Sequence, residues 1–259
     1  MPLETRLRYF AKSGADGCLL LPFTPELAAL SPEEFVKRIF SGWFAPGKSI
    51  AIAAGANWRF GRGGAGGLDD AVRASGGKIE ALPAPAVALD GAAVSSSAIR
   101  RLTVAGDMPA VEKMLGRPFE IRGKTAVGRG VGAKLGFATA NVSHAVECLP
   151  PCGVYAVEAA LFSAPATDDG GAKKTAADLW LPAVANLGYR PTFADAAPSA
   201  PALEVHILGH EGDLHGVEMA VRFIKRLRGE IRFESPAALA SQVRADIAAA
   251  LAAFAARRG

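Results

Sequence analysis

Apolar and polar positions change rhythm near the middle of this chain, and the change divides it in two. In the first hundred residues, short unbroken apolar runs alternate with amphipathic stretches. "GCLLLPF" (17–23) and "SIAIAAG" (49–55) have the length and composition of buried parallel strands. "KIEALPAPAVAL" (78–89) is a further strand candidate, interrupted by prolines. "SPEEFVKRIFSGWF" predicts a helix with Ser31 as N-cap, Pro32 first, Glu34 closing a capping box, and Phe35, Val36 and Ile39 on one apolar face. "VSSSAIRRLTVAGDMPAVEKMLGRPF" (94–119) predicts two short helices broken at Gly106, the second capped by Asp107.

Beyond Glu120 the period falls to two. "GVYAVEAALF", "LWLPAVANLG", "ALEVHILGHEGDLHG" and "VEMAVRFIKRLRGE" are strand-like runs separated by glycine and proline, the pattern of an antiparallel barrel. "SAPATDDGGAKKTAAD" (163–178) is expected as a polar loop between two of them. The chain closes on a helix capped by Ser235, with Leu239, Val243, Ile247, Leu251 and Phe254 at helical spacing. The expected organisation is an α/β part (1–105), a linker (106–118) and a β part with a C-terminal helix (119–259).

Composition narrows this picture a little. With 259 residues, 50% of them hydrophobic, there is ample apolar material for one large or two modest domains. The net charge of +4 is spread among acids, and "RFIKRLRGEIRF" is the single tight basic cluster, so nucleic acid is not an expected partner. Three cysteines without a CxxC spacing suit reduced thiols. The C-terminal "AALAAFAARRG" is short for a membrane span, and "MPLETRLRYFAKSG" has no apolar signal core, so a cytoplasmic protein off the membrane is expected. Oligomeric state is not legible.

Candidate chemistry concentrates in "GRGVGAKLGFATAN" (128–141). Glycines let backbone N–H groups converge on phosphate oxygens. Gly128, Gly130 and Gly132, with Lys134 or Arg129 adding charge, have that composition. The stretch fits neither a Walker A loop nor a dinucleotide fingerprint. Thr139 and Asn141, two apart in an extended segment, point to one side and offer a hydroxyl and a carboxamide oxygen, a partial shell for Mg2+. On the residues alone, the glycines read more readily as a flexible hairpin than as an anion site, and a Thr/Asn-capped turn also remains open. In "LEVHIL", Leu203, Val205 and Ile207 form one apolar face, leaving Glu204 and His206 opposite. His206 and His210, on a strand and turn, are not spaced to converge on zinc.

Here the chain resembles a known family. "GKTAVGRGVGAKLGFATANV", "CGVYAV", "AVANLGYRPTF", "LEVHIL", "DLHG" and "RLRGEIRFES" are collinear with the riboflavin kinase domain of bacterial bifunctional flavin-synthesising proteins. The resemblance implies a six-stranded antiparallel Greek-key barrel that moves the γ-phosphoryl group of ATP to the ribityl 5′-hydroxyl of riboflavin, giving FMN. It implies Thr139 and Asn141 as Mg2+–nucleotide ligands, Gly128, Gly130, Gly132 and Lys134 as the phosphate loop, and Glu204 as catalytic base. The family usually has proline where Ala138 stands and commonly arginine where Ala133 stands.

The first half resembles the FAD synthetase half of the same proteins, a Rossmann-like nucleotidyltransferase, through "GANWRFGRGGAGG" and "VSSSAIR". By that resemblance Ser96, Ser97 and Arg100 grip ATP phosphates at a helix start, while Asn57 stands where the family is typically acidic. The family's early His-x-Gly-His motif has no counterpart, since no histidine precedes His144. The expectation is therefore a riboflavin kinase without useful FMN adenylylation. The alternatives are a bifunctional enzyme if upstream residues exist, and a flavin-binding module without catalysis.

Overall fold

The computed structural model describes residues 2–45, 48–126, 137–145, 148–162, 179–189, 201–210, 212 and 214–258. The glycine loop at 127–136 and the polar loop at 163–178 lie outside the described residues. The chain packs as two compact units, Gly14–Val94 and Met1–Ser13 with Ser95–Gly259.

In the smaller unit, α2 (Pro25–Ala29) and α3 (Pro32–Phe40) precede β1 (Ile50–Gly55), α4 (Leu68–Ala74) and β2 (Ile79–Ala84). The expected capping box on α3 is present: Glu34 N–H donates to Ser31 Oγ, and Ser31 N–H donates to Glu34 Oε2 at 2.8 Å. β1 and β2 pair in parallel from Ile50↔Ile79 to Gly55↔Ala84, and a short hairpin, β3 (Ala88–Leu89) with β4 (Ala92–Ala93), follows. Val36, Phe60, Ala71 and Ile79 form the unit's small core. The run 17–23 corrects an expectation. It is not a strand, and Leu19, Leu20, Leu21 and Phe23 are exposed. Apolar composition favours a buried strand only where a neighbour takes its backbone hydrogen bonds, and the β1–β2 ladder takes none from this run.

In the larger unit, α5 (Ser96–Ala105) and α6 (Met108–Leu115) meet at Gly106, whose φ of 81° ends α5 in the left-handed region that glycine tolerates best. Asp107 caps α6, accepting from Ala110 N–H at 3.1 Å. Met108 and Val111 are fully buried in the barrel's interior cluster, so the stretch expected as a linker packs as the barrel's plug.

The barrel is closed and antiparallel throughout. Its strands are β5 (Phe119–Ala126), β6 (Ala140–Val142), β7 (Gly153–Phe162), β8 (Leu181–Gly188), β9 (Ala202–Ile207) and β10 (Glu218–Arg228), in the order β10-β5-β6-β9-β8-β7. Period-two alternation sends Leu203, Val205, Leu187, Tyr155, Val221 and Phe223 inward. The outward Val154, Ala156, Val184 and Ile224 form a second cluster under the last helix, α7 (Pro236–Arg258), which adds Ala250 and Phe254.

Ser235 caps α7 as expected, accepting from Ala238 N–H at 3.2 Å. Leu251, expected on its apolar face, is instead exposed. At 100° per residue, position 251 has drifted well away from position 239, while Ala250 returns to it. By length and composition α7 is the one helix among the described residues that suffices to cross a membrane, so the apolar tail was not as short as its last eleven residues suggested.

The N-terminal helix α1 (Leu3–Lys12) belongs to the barrel unit. Tyr9 donates to Glu120 Oε2 at 3.2 Å, the Arg117 guanidinium lies 3.7 Å from the Tyr9 ring centre, and Arg8 approaches Glu218 at 3.5 Å. Within the basic cluster of β10, Arg222 pairs with Glu120 at 3.3 Å and stacks 3.5 Å from the Trp180 ring centre, while Lys225 is exposed.

Candidate active site

The antiparallel register builds one row of side chains across five strands. Asn141 of β6 stands opposite Glu204 of β9, Glu204 opposite Asn186 of β8, Asn186 opposite Val154 of β7, and Val154 opposite Arg228 of β10. Directly paired residues point to the same face. Leu203, Val205 and Leu187 fill the interior, so this row lies on the barrel's outer face. Polar residues therefore flank Glu204 on both sides, although its own strand reads as apolar.

α7 and the segment 229–235 roof this face into a cleft of about 260 Å³. Val154 and Val184 make its floor, while Ile231, Phe233, Leu239 and Val243 make the facing wall. Thr139, Asn186, Glu204 and His206 stand toward one end, and Arg228, Glu230 and Asp246 also contribute polar groups. An apolar slot with a few convergent polar groups is the usual form of a small-molecule site. His206 is fixed by its Nδ1 contact with the Ala138 carbonyl oxygen at 2.8 Å and by an edge-on Phe137 ring.

The roof is pinned from the barrel. Arg228 Nε donates to Asp246 Oδ1 at 2.8 Å and its terminal NH2 group to Asp246 Oδ2 at 2.7 Å. Gln242, one turn earlier on α7, donates to Asp246 Oδ1 at 3.0 Å. Glu230 lies across the backbone of Gly188: a Cβ there would overlap Glu230 Oε1 and come within 3.0 Å of its Cδ. The absence of a side chain at Gly188 makes room for that carboxylate.

Of the residues singled out from sequence, Thr139 and Glu204 line the cleft together. Asn141 is 5% exposed and joins them through the strand register. Gly128, Gly130, Gly132 and Lys134 lie outside the described residues. Ser96 and Ser97 are exposed on the first turn of α5 and Arg100 on the next, the N-cap being Ser95, which accepts from Ala98 N–H at 3.2 Å; none of the three lines the cleft. Asn186, Arg228, Glu230 and Asp246 carried no assigned role in the sequence. The signal for two of them lay inside "RLRGEIRFES", where a fork-shaped cation and a carboxylate sit two apart.

The thiols at Cys18, Cys148 and Cys152 are free. Burial, then the nearby Glu230 charge, pushes the Cys152 thiol up, which leaves it a poor nucleophile.

A family model for riboflavin kinase matches residues 115–254, and one for FAD synthetase matches residues 1–98. A bifunctional riboflavin kinase/FMN adenylyltransferase from Pseudomonas fluorescens is 38% identical over 243 residues, covering 92% of this chain and 71% of that protein. Its namesake from Escherichia coli (strain K12) is 33% identical over 247 residues, covering 94% and 72%. A solved structure described as a macrolide-efflux protein from Streptococcus pneumoniae is similar with a TM-score of 0.76 at 25% identity, covering 95% of this chain and 73% of that one.

Proposed function

The chain belongs to the bacterial bifunctional riboflavin kinase/FMN adenylyltransferase family, and from that premise we propose that its barrel is an ATP-dependent riboflavin kinase, soluble and cytoplasmic, that makes FMN. The observation that carries the reading is the position of Glu204. It lies between Asn141 and Asn186 in one cross-strand row and shares the cleft with Thr139.

Riboflavin lies in the cleft with its ring system between the valine floor and the Phe233, Leu239 and Val243 wall, and its ribityl chain toward Glu204. Glu204 takes the proton of the 5′-hydroxyl as that oxygen attacks the γ-phosphorus. The bond from phosphorus to the bridging oxygen of ADP breaks, and ADP leaves with that electron pair.

The Thr139 hydroxyl and Asn141 carboxamide oxygen are hard, neutral donors that suit Mg2+ already carrying phosphate oxygens and water. Among the described residues no group of three or more His, Cys, Asp or Glu gathers to hold a metal unaided, which favours a cation shared with the nucleotide. Bound there, Mg2+ supplies neutralisation of the charge on the transferring phosphate. Gly128, Gly130, Gly132 and Lys134 are proposed as the cradle for the remaining phosphates.

The test is product analysis with riboflavin, ATP and Mg2+ beside a Glu204→Gln variant. FMN from the native chain, with kcat about 10²- to 10⁴-fold lower in the variant and an unchanged melting temperature, is the expected result. Flavin binding without FMN would sink the kinase in favour of a binding module. FAD among the products would assign adenylylation to the part matched by the FAD synthetase model.

A further inference from the structure

We propose that His206 is a positioning residue for the nucleotide end of the site: its Nδ1–H holds the Ala138 carbonyl and thereby aims the Thr139 hydroxyl. The inference rests on the kinase reading for the identity of the ligand, and on the following geometry for the residue.

Thr139 lacks the support that Asn141 has. β6 is only three residues long. Its ladders pair Ala140 with Val205, Asn141 with Glu204 and Ala126, and Val142 with Leu203 and Thr125. Asn141 is thus held from both sides. Thr139 is exposed and stands outside both ladders, so among the described residues no strand pairing sets the direction of its side chain. Nor does the residue before it, because alanine leaves both backbone dihedrals free where a proline would fix φ.

The register shows what takes over. Continued by one step, the β6–β9 ladder would set Thr139 opposite His206, whose backbone pairs on its other side with Val184 of β8. In place of that missing pair, the His206 ring reaches across the outer face. Its Nδ1 lies 2.8 Å from the Ala138 carbonyl oxygen, and the Phe137 ring meets it edge-on with centroids 5.8 Å apart. A carbonyl oxygen only accepts, so Nδ1 carries the proton and donates. That oxygen shares one rigid peptide plane with the Thr139 nitrogen and Cα. Holding the oxygen therefore sets the plane from which the threonine side chain departs.

His206 and Glu204 are two apart on β9 and emerge on one face. One strand carries both the base and the brace, which ties the attacking end of the site to the nucleotide end. The other end of the same ladder is closed by a similar contact, His144 Nε2 donating to the Pro201 carbonyl at 2.9 Å. That contact lies beyond Val142, away from Thr139, and supplies a control.

The experiment titrates MgADP into the full chain by calorimetry, where no turnover occurs, and measures kinetics separately. His206→Phe keeps a ring for Phe137 and loses the donor. His206→Asn places an amide N–H near the position of Nδ1 and keeps it. His206→Phe should weaken MgADP roughly 3- to 10-fold and raise the KM for MgATP by a similar factor, with the KM for riboflavin unmoved. His206→Asn should stay within about twofold of the native chain. Ala138→Pro added to His206→Phe should restore most of the loss, since it restrains the same backbone. His144→Ala should lower the melting temperature and leave MgADP affinity alone. Equal loss of MgADP binding in His144→Ala and His206→Phe would overturn the proposal, leaving the stability of β6 as the common cause. So would a His206→Phe variant in which only the KM for riboflavin moves. MgADP binding that depends on the His206 donor, in a chain that makes no FMN, would uphold the proposal and remove the kinase reading. FMN formation by the native chain, with MgADP affinity unchanged in His206→Phe, would keep the kinase reading and remove the proposal.

Discussion

The two units of this chain answer the same physical problem, burying one face of a sheet, in opposite ways. The barrel closes six strands on themselves, leaves no edge, and fills its interior with a continuous cluster plugged by α6. The Gly14–Val94 unit pairs only two parallel strands, with four buried side chains at its core and Leu19, Leu20, Leu21 and Phe23 exposed nearby in sequence. Parallel sheets are ordinarily covered on both faces, and closure is the one arrangement that removes edges altogether. The difference teaches where rigidity for chemistry resides. Every residue placed in the proposed kinase mechanism or the flavin cleft lies on the barrel unit.

The sharpest test of that contrast is a pair of core truncations. Phe223 is wholly buried against Tyr155 and Phe119. Phe223→Ala should cost about 3–5 kcal/mol in urea unfolding and abolish FMN formation at working temperature. Ile79, equally buried in the smaller unit at 2% exposure, should cost about 2 kcal/mol on truncation to alanine, since its thin surroundings relax more readily. FMN formation should survive Ile79→Ala. Its loss would show that the barrel depends on the smaller unit.

A weaker break is Ser31→Ala, which removes one half of the α3 capping box. It should destabilise the smaller unit by about 1 kcal/mol, seen as faster amide exchange along α3 with no change in the barrel strands.

The smallest effect concerns pH. Burial, and then the Glu120 charge, hold the Tyr9 hydroxyl above its ordinary value, and burial does the same for Tyr155. Both folded-state values exceed the unfolded ones. The associated stability is therefore complete below about pH 10 and is lost as pH rises through the folded values. The Gly14–Val94 unit has no tyrosine, so a melting series from neutral to strongly alkaline pH should move the barrel transition through this route. Tyr155→Phe should flatten that decline. An unchanged slope would show that other groups govern it.

Much of the candidate site's geometry was legible because it is written in local periodicity. The alternation in "LEVHIL" sends Leu203, Val205 and Ile207 inward and therefore Glu204 outward, whatever the neighbouring strands. Ser31, Asp107 and Ser235 cap their helices through contacts within three residues. Failures came where burial depends on a partner distant in sequence. The run 17–23 has the composition of a buried strand and pairs with nothing in the β1–β2 ladder. Leu251 matches a helical repeat but is displaced by Ala250 as the face drifts around α7.

What the sequence determined by itself was the type of each barrel strand, the side from which Glu204 emerges, and the conjunction of Thr139 with Asn141. These follow from periods of two and from short-range hydrogen bonds, which adjacent residues settle among themselves. Tertiary structure alone decided that Asn141, Glu204 and Asn186 share a row, that a bulge at Leu227 turns Arg228 outward, and that Asp246 on α7 meets it. Those facts depend on register and closure. A strand's register is set by every ladder it joins, and only the closed barrel brings all six together.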